Sequence, residues 1–229
     1  MPSPPLRLRT LFRFAALLLL ALAGAFAALL AFDSFAPPVS TLMLGRELTG
    51  KGYQRAYVRL ANIAPAAVLS VITSEDARFC QNDGVDWDEL HGVLRAAGKR
   101  EPSRGASTLT MQTAKNLFLW PGRSKIRKGI EIVIALVLGK IWTKPHTLEV
   151  YLNIAEWGDG LFGIEAASQR YFHKPASQLD AREAALLATA LPNPRQRNPA
   201  HPRPMHRLLA AGLLSRTYGE GDFLDCLPK

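Results

Sequence analysis

Nineteen consecutive residues without a charge, Phe14 to Phe32, constrain this chain more than any other feature. An apolar run of that length, wound as a helix, matches the hydrocarbon thickness of a bilayer and is expected to cross it. Arg7, Arg9 and Arg13 precede the run and Asp33 follows it. The positive-inside rule then puts the short N-terminus in the cytoplasm and the rest outside. A cleaved signal peptide is the alternative, with Ala25-Phe26-Ala27 as a cleavage-like site. Signal cores run only about 7–15 residues. Here the apolar stretch continues past Ala27, so a retained, single-pass anchor is the expectation.

The anchor divides the chain into a cytoplasmic N-terminus (1–13), a transmembrane segment (14–32), a linker and membrane-proximal stretch (33–60), one globular domain (61–219) and a short tail (220–229). About 190 residues after Pro37-Pro38 are enough for one domain with a real core. The formal net charge is +9, of which +7 lies beyond Asp33. A basic domain tethered at a bilayer attracts anionic headgroups and phosphate-bearing substrates. Nucleic acid, the other usual partner of excess Lys and Arg, is excluded by the extracytoplasmic placement. Cys80 and Cys226 are the two cysteines, and their compartment permits a disulfide; the sequence leaves open whether they pair. The five histidines are scattered, with no ligand spacing for zinc.

Periodicity points to helices throughout. Pro65 at a first-turn position, followed by Val68, Leu69 and Ile72, opens a helix that ends at Glu75 and Asp76. The negative end of a helix dipole disfavours the charged form of a carboxylate, moving Glu75 toward useful basicity. Asp86 with Glu89 reads as a capping box before Trp87, Leu90, Val93, Leu94 and Ala97, with Gly98 as the stop. Ser124 caps a longer helix whose apolar positions are Ile126, Ile130, Val133, Ile134, Val137, Leu138 and Ile141. Thr143 and Pro145 begin another, Asp180 with Glu183 caps Ala184 to Leu191, and a last helix runs from Met205 to Tyr218. No alternating strand ladder stands out, so the domain is expected to be mainly α.

Glu75 and Glu131 lie 56 positions apart and bracket Gly105-Ala106-Ser107-Thr108-Leu109-Thr110-Met111-Gln112. Two carboxylates whose environments separate their pKa values can divide the work of chemistry at a glycosidic bond. Surface glutamates are common, and an Arg127 or Lys128 pair with Glu131 on one helix is also what an ordinary intrahelical ion pair looks like.

The company of these residues resolves the choice. The chain resembles the peptidoglycan glycosyltransferases in their monofunctional, membrane-anchored biosynthetic form, from about Val68 to Arg207. The resemblance rests on Glu75-Asp76-Ala77-Arg78-Phe79 with Gly84-Val85-Asp86, and on Gly105 to Gln112 running into Ala114-Lys115-Asn116-Leu117-Phe118. It continues in Arg127-Lys128-Gly129-Ile130-Glu131 and Leu148-Glu149-Val150-Tyr151-Leu152-Asn153. It implies a lysozyme-like helical lobe beside a smaller membrane-proximal lobe, and an inverting transfer that polymerises lipid II into glycan strands at the inner membrane.

By matching positions, Glu75 is similar to the family's general base and Glu131 to its second carboxylate on the pyrophosphate side. Lys115, Arg127 and Lys128 would cradle the diphosphate. Ser107, Thr108, Gln112 and Asn116 would hydrogen-bond sugar and phosphate oxygens, Asp76 and Phe79 would shape the base's pocket, and Tyr151 and Asn153 look like scaffold. The resemblance leaves room for a divalent cation, Mg or Mn, although no metal-binding set is identifiable. Where the family usually carries His, this chain has Asn82, which hydrogen-bonds but cannot titrate. Partners implied are lipid II, the growing lipid-linked strand, the inner membrane and cell-wall synthesis or division proteins. The rivals are a glycan-cleaving muramidase or lytic transglycosylase on a similar scaffold, and a non-catalytic cell-wall scaffold. Neither Ser-x-x-Lys nor Lys-Thr-Gly occurs, so no transpeptidase chemistry is expected.

Overall fold

The computed structural model describes residues 10–14, 16–17, 20–21, 24, 28, 37–96, 107–122, 124–217 and 225–228. The chain divides into two compact units, Met1–Pro38 and Val39–Lys229. The expected membrane-spanning segment, 14–32, lies mostly outside the described residues. Those described at 10–14, 16–17, 20–21, 24 and 28 are helical and exposed. Among the described residues, no helix is long and apolar enough to cross a membrane.

The second unit is mainly helical. In order come α1 (Thr41–Leu48), β1 (Gln54–Arg55), a 3-10 turn (Leu60–Asn62), α2 (Pro65–Glu75), α3 (Trp87–Ala96), α4 (Leu109–Phe118), α5 (Lys125–Ile141) and α6 (Lys144–Ile154). Then follow β2 (Glu156–Gly158), β3 (Leu161–Phe162), α7 (Ile164–Phe172), a second 3-10 turn (Ala176–Gln178), α8 (Ala181–Ala190) and α9 (Pro204–Thr217). Local chemistry sets the boundaries. Ser124 and Thr143 accept from the backbone N–H of Arg127 and His146, and Pro65 occupies the first turn of α2. Asp180 and Glu183 form a full reciprocal capping box, so two first-turn donors of α8 are satisfied at once. Asp86 Oδ1 accepts from Glu89 N at 3.1 Å, which starts α3. Its expected stop at Ala97 and Gly98 lies outside the described residues, as does that of α9 at Tyr218 and Gly219.

Helices α2, α8 and α9 pack on one another, and α4 packs against α5 and α6. Phe79, Leu109, Leu148, Tyr151, Leu152 and Trp157 join the same core, so the loop after α2 is anchored in its centre. Cys80, next to Phe79, is bonded to Cys226.

Two features go beyond what the periodicity states. A small three-stranded sheet exists, in the order β1-β3-β2, with β1 parallel and β2 antiparallel to β3. Its strands are two or three residues long, too short to show an alternating pattern. Second, the apolar stripe of α5 does not face the core. Ile126, Ile130, Val133 and Ile141 are exposed, and the buried residues are Arg127, Glu131, Ala135 and Leu138. The helix is turned so that Arg127 and Glu131 point inward.

A close backbone contact holds α5 in this setting. Gly84 adopts φ +101°, and a Cβ there would sit 2.5 Å from the Ala135 carbonyl oxygen; one on Gly139 would sit 2.2 Å from the Asp83 oxygen. Only glycines let the Asp83–Gly84 turn and α5 approach this closely. The contact fixes the Glu131-bearing helix against the loop that follows Glu75.

Candidate active site

Glu75 is the last residue of α2 and is half-buried. Its Oε2 accepts from Gln112 Nε2 at 3.0 Å, and Ser74 Oγ lies 3.4 Å from Oε1. Burial pushes its pKa above the usual carboxylate value. The hydrogen bonds from Gln112 and Ser74 and the positive charges of Lys115 and Arg197 pull it back. Glu75 is therefore more basic than an exposed glutamate.

Gln112 is itself oriented. Its Oε1 accepts from the buried Tyr151 hydroxyl at 3.1 Å, which leaves the amide N–H to face Glu75 and the Ser107 carbonyl. Tyr151 thus acts on Glu75 through one intermediary, a placement that its scaffold-like sequence position did not reveal.

Glu131 is almost fully buried. Its Oε1 accepts from Lys128 Nζ at 2.7 Å and from Ser107 Oγ at 3.3 Å, and its Oε2 lies 3.5 Å from Arg127 Nη1. Lys128 Nζ also donates to Ser107 Oγ at 3.3 Å. Ser107 is consequently the hinge between the two carboxylates, its carbonyl on the Glu75 side through Gln112 and its hydroxyl on the Glu131 side. Glu131 is thus engaged by two cations and a hydroxyl, whereas Glu75 meets an amide and a hydroxyl.

The Lys115 ammonium makes no hydrogen bond or ion pair among the described residues, yet feels both Glu131 and Glu75. Burial lowers its pKa and the two carboxylates raise it. Arg127 Nε is buried without a hydrogen-bond partner among the described residues. Buried donors are almost always satisfied, so an unfilled guanidinium N–H beside an unpaired ammonium marks a place for an anionic ligand.

Other expected site residues serve the frame. Thr108 is buried and caps α4, its Oγ1 accepting from Met111 N at 3.0 Å and donating to the Gly84 carbonyl at 2.6 Å. Asp76 Oδ2 accepts from Leu109 N at 2.9 Å and Oδ1 from Asn82 Nδ2 at 3.0 Å. Burial raises its pKa to about 6 against these bonds. Phe79 is fully buried, with Lys144 Nζ 4.5 Å from its ring centre. Asn116 lies half-buried on α4 near Lys115, and its backbone carbonyl accepts from Thr41.

Asn82 has a full set of partners. Its amide donates to Asp76 and to the Arg78 carbonyl, and its Oδ1 accepts from Gly84 N and Lys144 Nζ. Here the position orients Asp76 and the Gly84 turn. Lys144, which also donates to the Asn82 carbonyl at 2.6 Å, carried no signal in the sequence beyond being the first residue of a helix. Arg197, the other missed cation, lies in a Pro- and Arg-rich loop whose place in the fold periodicity cannot supply. Asn153 is scaffold, bonded to both the N–H and the carbonyl of Val58.

Among the described residues, no group of three His, Cys, Asp or Glu could hold a metal ion. Both Glu131 oxygens are engaged by cationic side chains, Oε1 by Lys128 and Oε2 by Arg127.

A family model described as Transglycosylase matches residues 43–212. The biosynthetic peptidoglycan transglycosylase of Brucella suis biovar 1 is 47% identical over 211 residues, covering 92% of this chain and 94% of the relative. That of Agrobacterium fabrum is 49% identical over 195 residues, covering 84% and 85%. That of Nitrobacter hamburgensis is 51% identical over 180 residues, covering 78% and 80%.

Proposed function

The chain belongs to the transglycosylase family, and from that membership we propose a mechanism in which Glu75 is the base of a lipid II polymerase. It is a monofunctional peptidoglycan glycosyltransferase of cell-wall synthesis. Glu75 removes the proton from the 4-hydroxyl of the acceptor sugar as that oxygen attacks the donor's anomeric carbon. The bond to polyprenyl pyrophosphate breaks with inversion, and the departing oxygens carry the electron pair. A diphosphate leaving group needs charge neutralisation more than protonation.

The observation that carries this reading is the asymmetry across Ser107. One side has a carboxylate made more basic by burial. The other has a buried carboxylate that holds Arg127 and Lys128 in place, with Lys115 and Arg127 Nε left to meet phosphate oxygens. Glu131 orders the cations, and the cations stabilise the developing charge. A hydrolase acting at a neutral sugar oxygen would gain nothing from three cations at the leaving group.

The membrane reading rests on three supports. The sequence carries the apolar run 14–32. The Cys80–Cys226 bridge belongs in an oxidising compartment outside the cytoplasm. Helix α5 presents Ile126, Ile130, Val133 and Ile141 outward, with Trp120 exposed just ahead of it. An exposed apolar stripe of this kind suits a bilayer interface. It lies on the helix that carries Arg127 and Lys128, so the pyrophosphate of a lipid-tailed donor meets the cations while its tail stays in the membrane. Confinement of enzyme, donor and acceptor to one bilayer removes most of the search.

The experiment is incubation of the purified chain with labelled lipid II in detergent, followed by sizing of the products. Long uncross-linked strands with release of polyprenyl pyrophosphate are expected. Cleavage of preformed glycan without synthesis from lipid II would place the chain with the glycan-cleaving enzymes instead.

A further inference from the structure

Away from Glu75 and Glu131, the domain has a second concavity of about 970 Å³, between the end of α1, the β2–β3 turn, the end of α7 and the loop through 198–201. Its lining is cationic: Arg46, Lys51 and Arg170, with His173 and His201 beside them. The carboxylate among them, Asp159, is already taken, by Arg46 Nη1 at 2.9 Å and by Arg195 Nε at 3.7 Å. Arg46 is fixed, since its Nε also donates to the Gly52 carbonyl at 2.8 Å. The side chains of Lys51, Arg170, His173 and His201 carry no hydrogen bond or ion pair among the described residues. His173 ends α7 in the left-handed region, at φ 57°.

A basic patch on a convex face is usually just solvated. A concavity differs, because low-dielectric walls focus the field and raise the potential inside. Like charges gathered there repel unless an anion enters.

The cavity is also tied to the reaction centre. One loop runs from Arg197, whose charge acts on Glu75, through Asn198 and Ala200 to His201 in the cavity wall. Four residues of chain span at most about 14 Å, the scale of a few linked sugar rings. Just before it, Arg195 pairs with Glu156 and Asp159 at the sheet.

We propose that this cavity binds the carboxylates of the peptide branches on the glycan, a subsite beyond the bond being formed that grips the strand through its acidic peptides. The proposal rests on the glycan-polymerising reading above. It gives the enzyme a way to tell peptide-bearing glycan from bare glycan without touching the sugars. Several exposed cations contribute modestly each and together make a salt-sensitive grip.

The test uses the full chain in detergent and two fluorescent glycan fragments of equal length, one with acidic peptide branches and one with the peptides removed. Wild type should bind the peptide-bearing fragment at least ten-fold more tightly at low salt, and the difference should shrink at high salt. Lys51→Ala with Arg170→Ala, both remote from the reacting groups, should erase that preference while the rate of the first coupling of lipid II stays within two-fold of wild type. Equal binding of both fragments by wild type overturns the proposal, as does a preference that survives in the double variant. Competition by inorganic phosphate or anionic vesicles, but not by the free acidic peptide, would assign the cavity to a phosphate and also overturn it. If polymerisation fails while the peptide preference holds, the enzymatic reading is at fault and the cavity's assignment stands.

Discussion

Replacing both cysteines with serine should cost this protein more than any single surface change. The bridge joins residues 146 apart in sequence, tying the C-terminal tail to the loop that follows Glu75. In the chain-entropy account, closing a loop of that size removes about 17 cal/mol/K from the unfolded ensemble, or about 5 kcal/mol at 25 °C. Native disulfides removed from other domains cost about 2–5 kcal/mol. For a domain of this size, each kcal/mol shifts the melting temperature by about 2–4 °C. Cys80→Ser with Cys226→Ser should therefore melt roughly 5–20 °C below wild type in differential scanning fluorimetry of the full chain in detergent. Because the effect acts on the unfolded chain, the urea m-value should rise, as the uncrosslinked chain exposes more surface. Activity at 20 °C should persist, since neither sulfur touches Glu75 or Glu131 and the core around Phe79 holds the loop independently. A melting temperature within 1 °C of wild type, with an unchanged m-value, would refute the reasoning and make the bridge incidental.

Three further outcomes follow from the site and its surroundings. Arg127→Ala with Lys128→Ala should weaken donor binding at least ten-fold at low salt, with a smaller loss at high salt, measured by displacement of a labelled phosphoglycolipid inhibitor; unchanged affinity would leave the pair only structural partners of Glu131. Gln112→Ala removes a hydrogen bond that favours the ionised form of Glu75, so the folded-state pKa of the base rises and the acid limb of kcat/KM should move to higher pH, whereas a limb that stays put or moves down would contradict this role. Ile126→Glu with Val133→Glu, at positions 77% and 61% exposed, should leave the melting temperature within 2 °C while cutting vesicle co-sedimentation of a chain starting at Pro37 at least ten-fold; equal sedimentation would remove α5 from the membrane interface.

What was legible in the sequence was local chemistry. The caps at Ser124, Thr143 and Asp180 and the proline at the start of α2 place helix boundaries because each acts within one turn. Glu75 at the end of α2 was readable for the same reason. The facing of α5 was not. Its apolar periodicity is real, but periodicity says which residues share a stripe and not whether core or bilayer meets it; Glu131 and Arg127, on the adjacent stripe, go inward because the Asp83–Gly84 turn packs backbone to backbone on Ala135 and Gly139. The sheet escaped because β2 and β3 are too short to alternate and β1 joins them only through a pairing more than 100 positions away in sequence, Gln54 with Leu161. Thr108 illustrates how a motif residue misleads. It stands within the site's sequence motif, yet its hydroxyl is consumed by Met111 N and the Gly84 carbonyl, whereas Ser107 beside it meets both Glu131 and Lys128. Lys144 and Arg197 reach the site from remote parts of the chain, and such placement is set by tertiary packing alone.

The most direct test of Glu75 as the base is single-turnover coupling of lipid II by Glu75→Gln, with donor-site occupancy measured on the same preparation. The amide keeps the shape and can still meet Gln112, but it cannot take a proton at neutral pH. The mechanism predicts a rate lower by about 10²–10⁴-fold with binding of the labelled phosphoglycolipid within three-fold of wild type. A rate within ten-fold of wild type at full occupancy would contradict it.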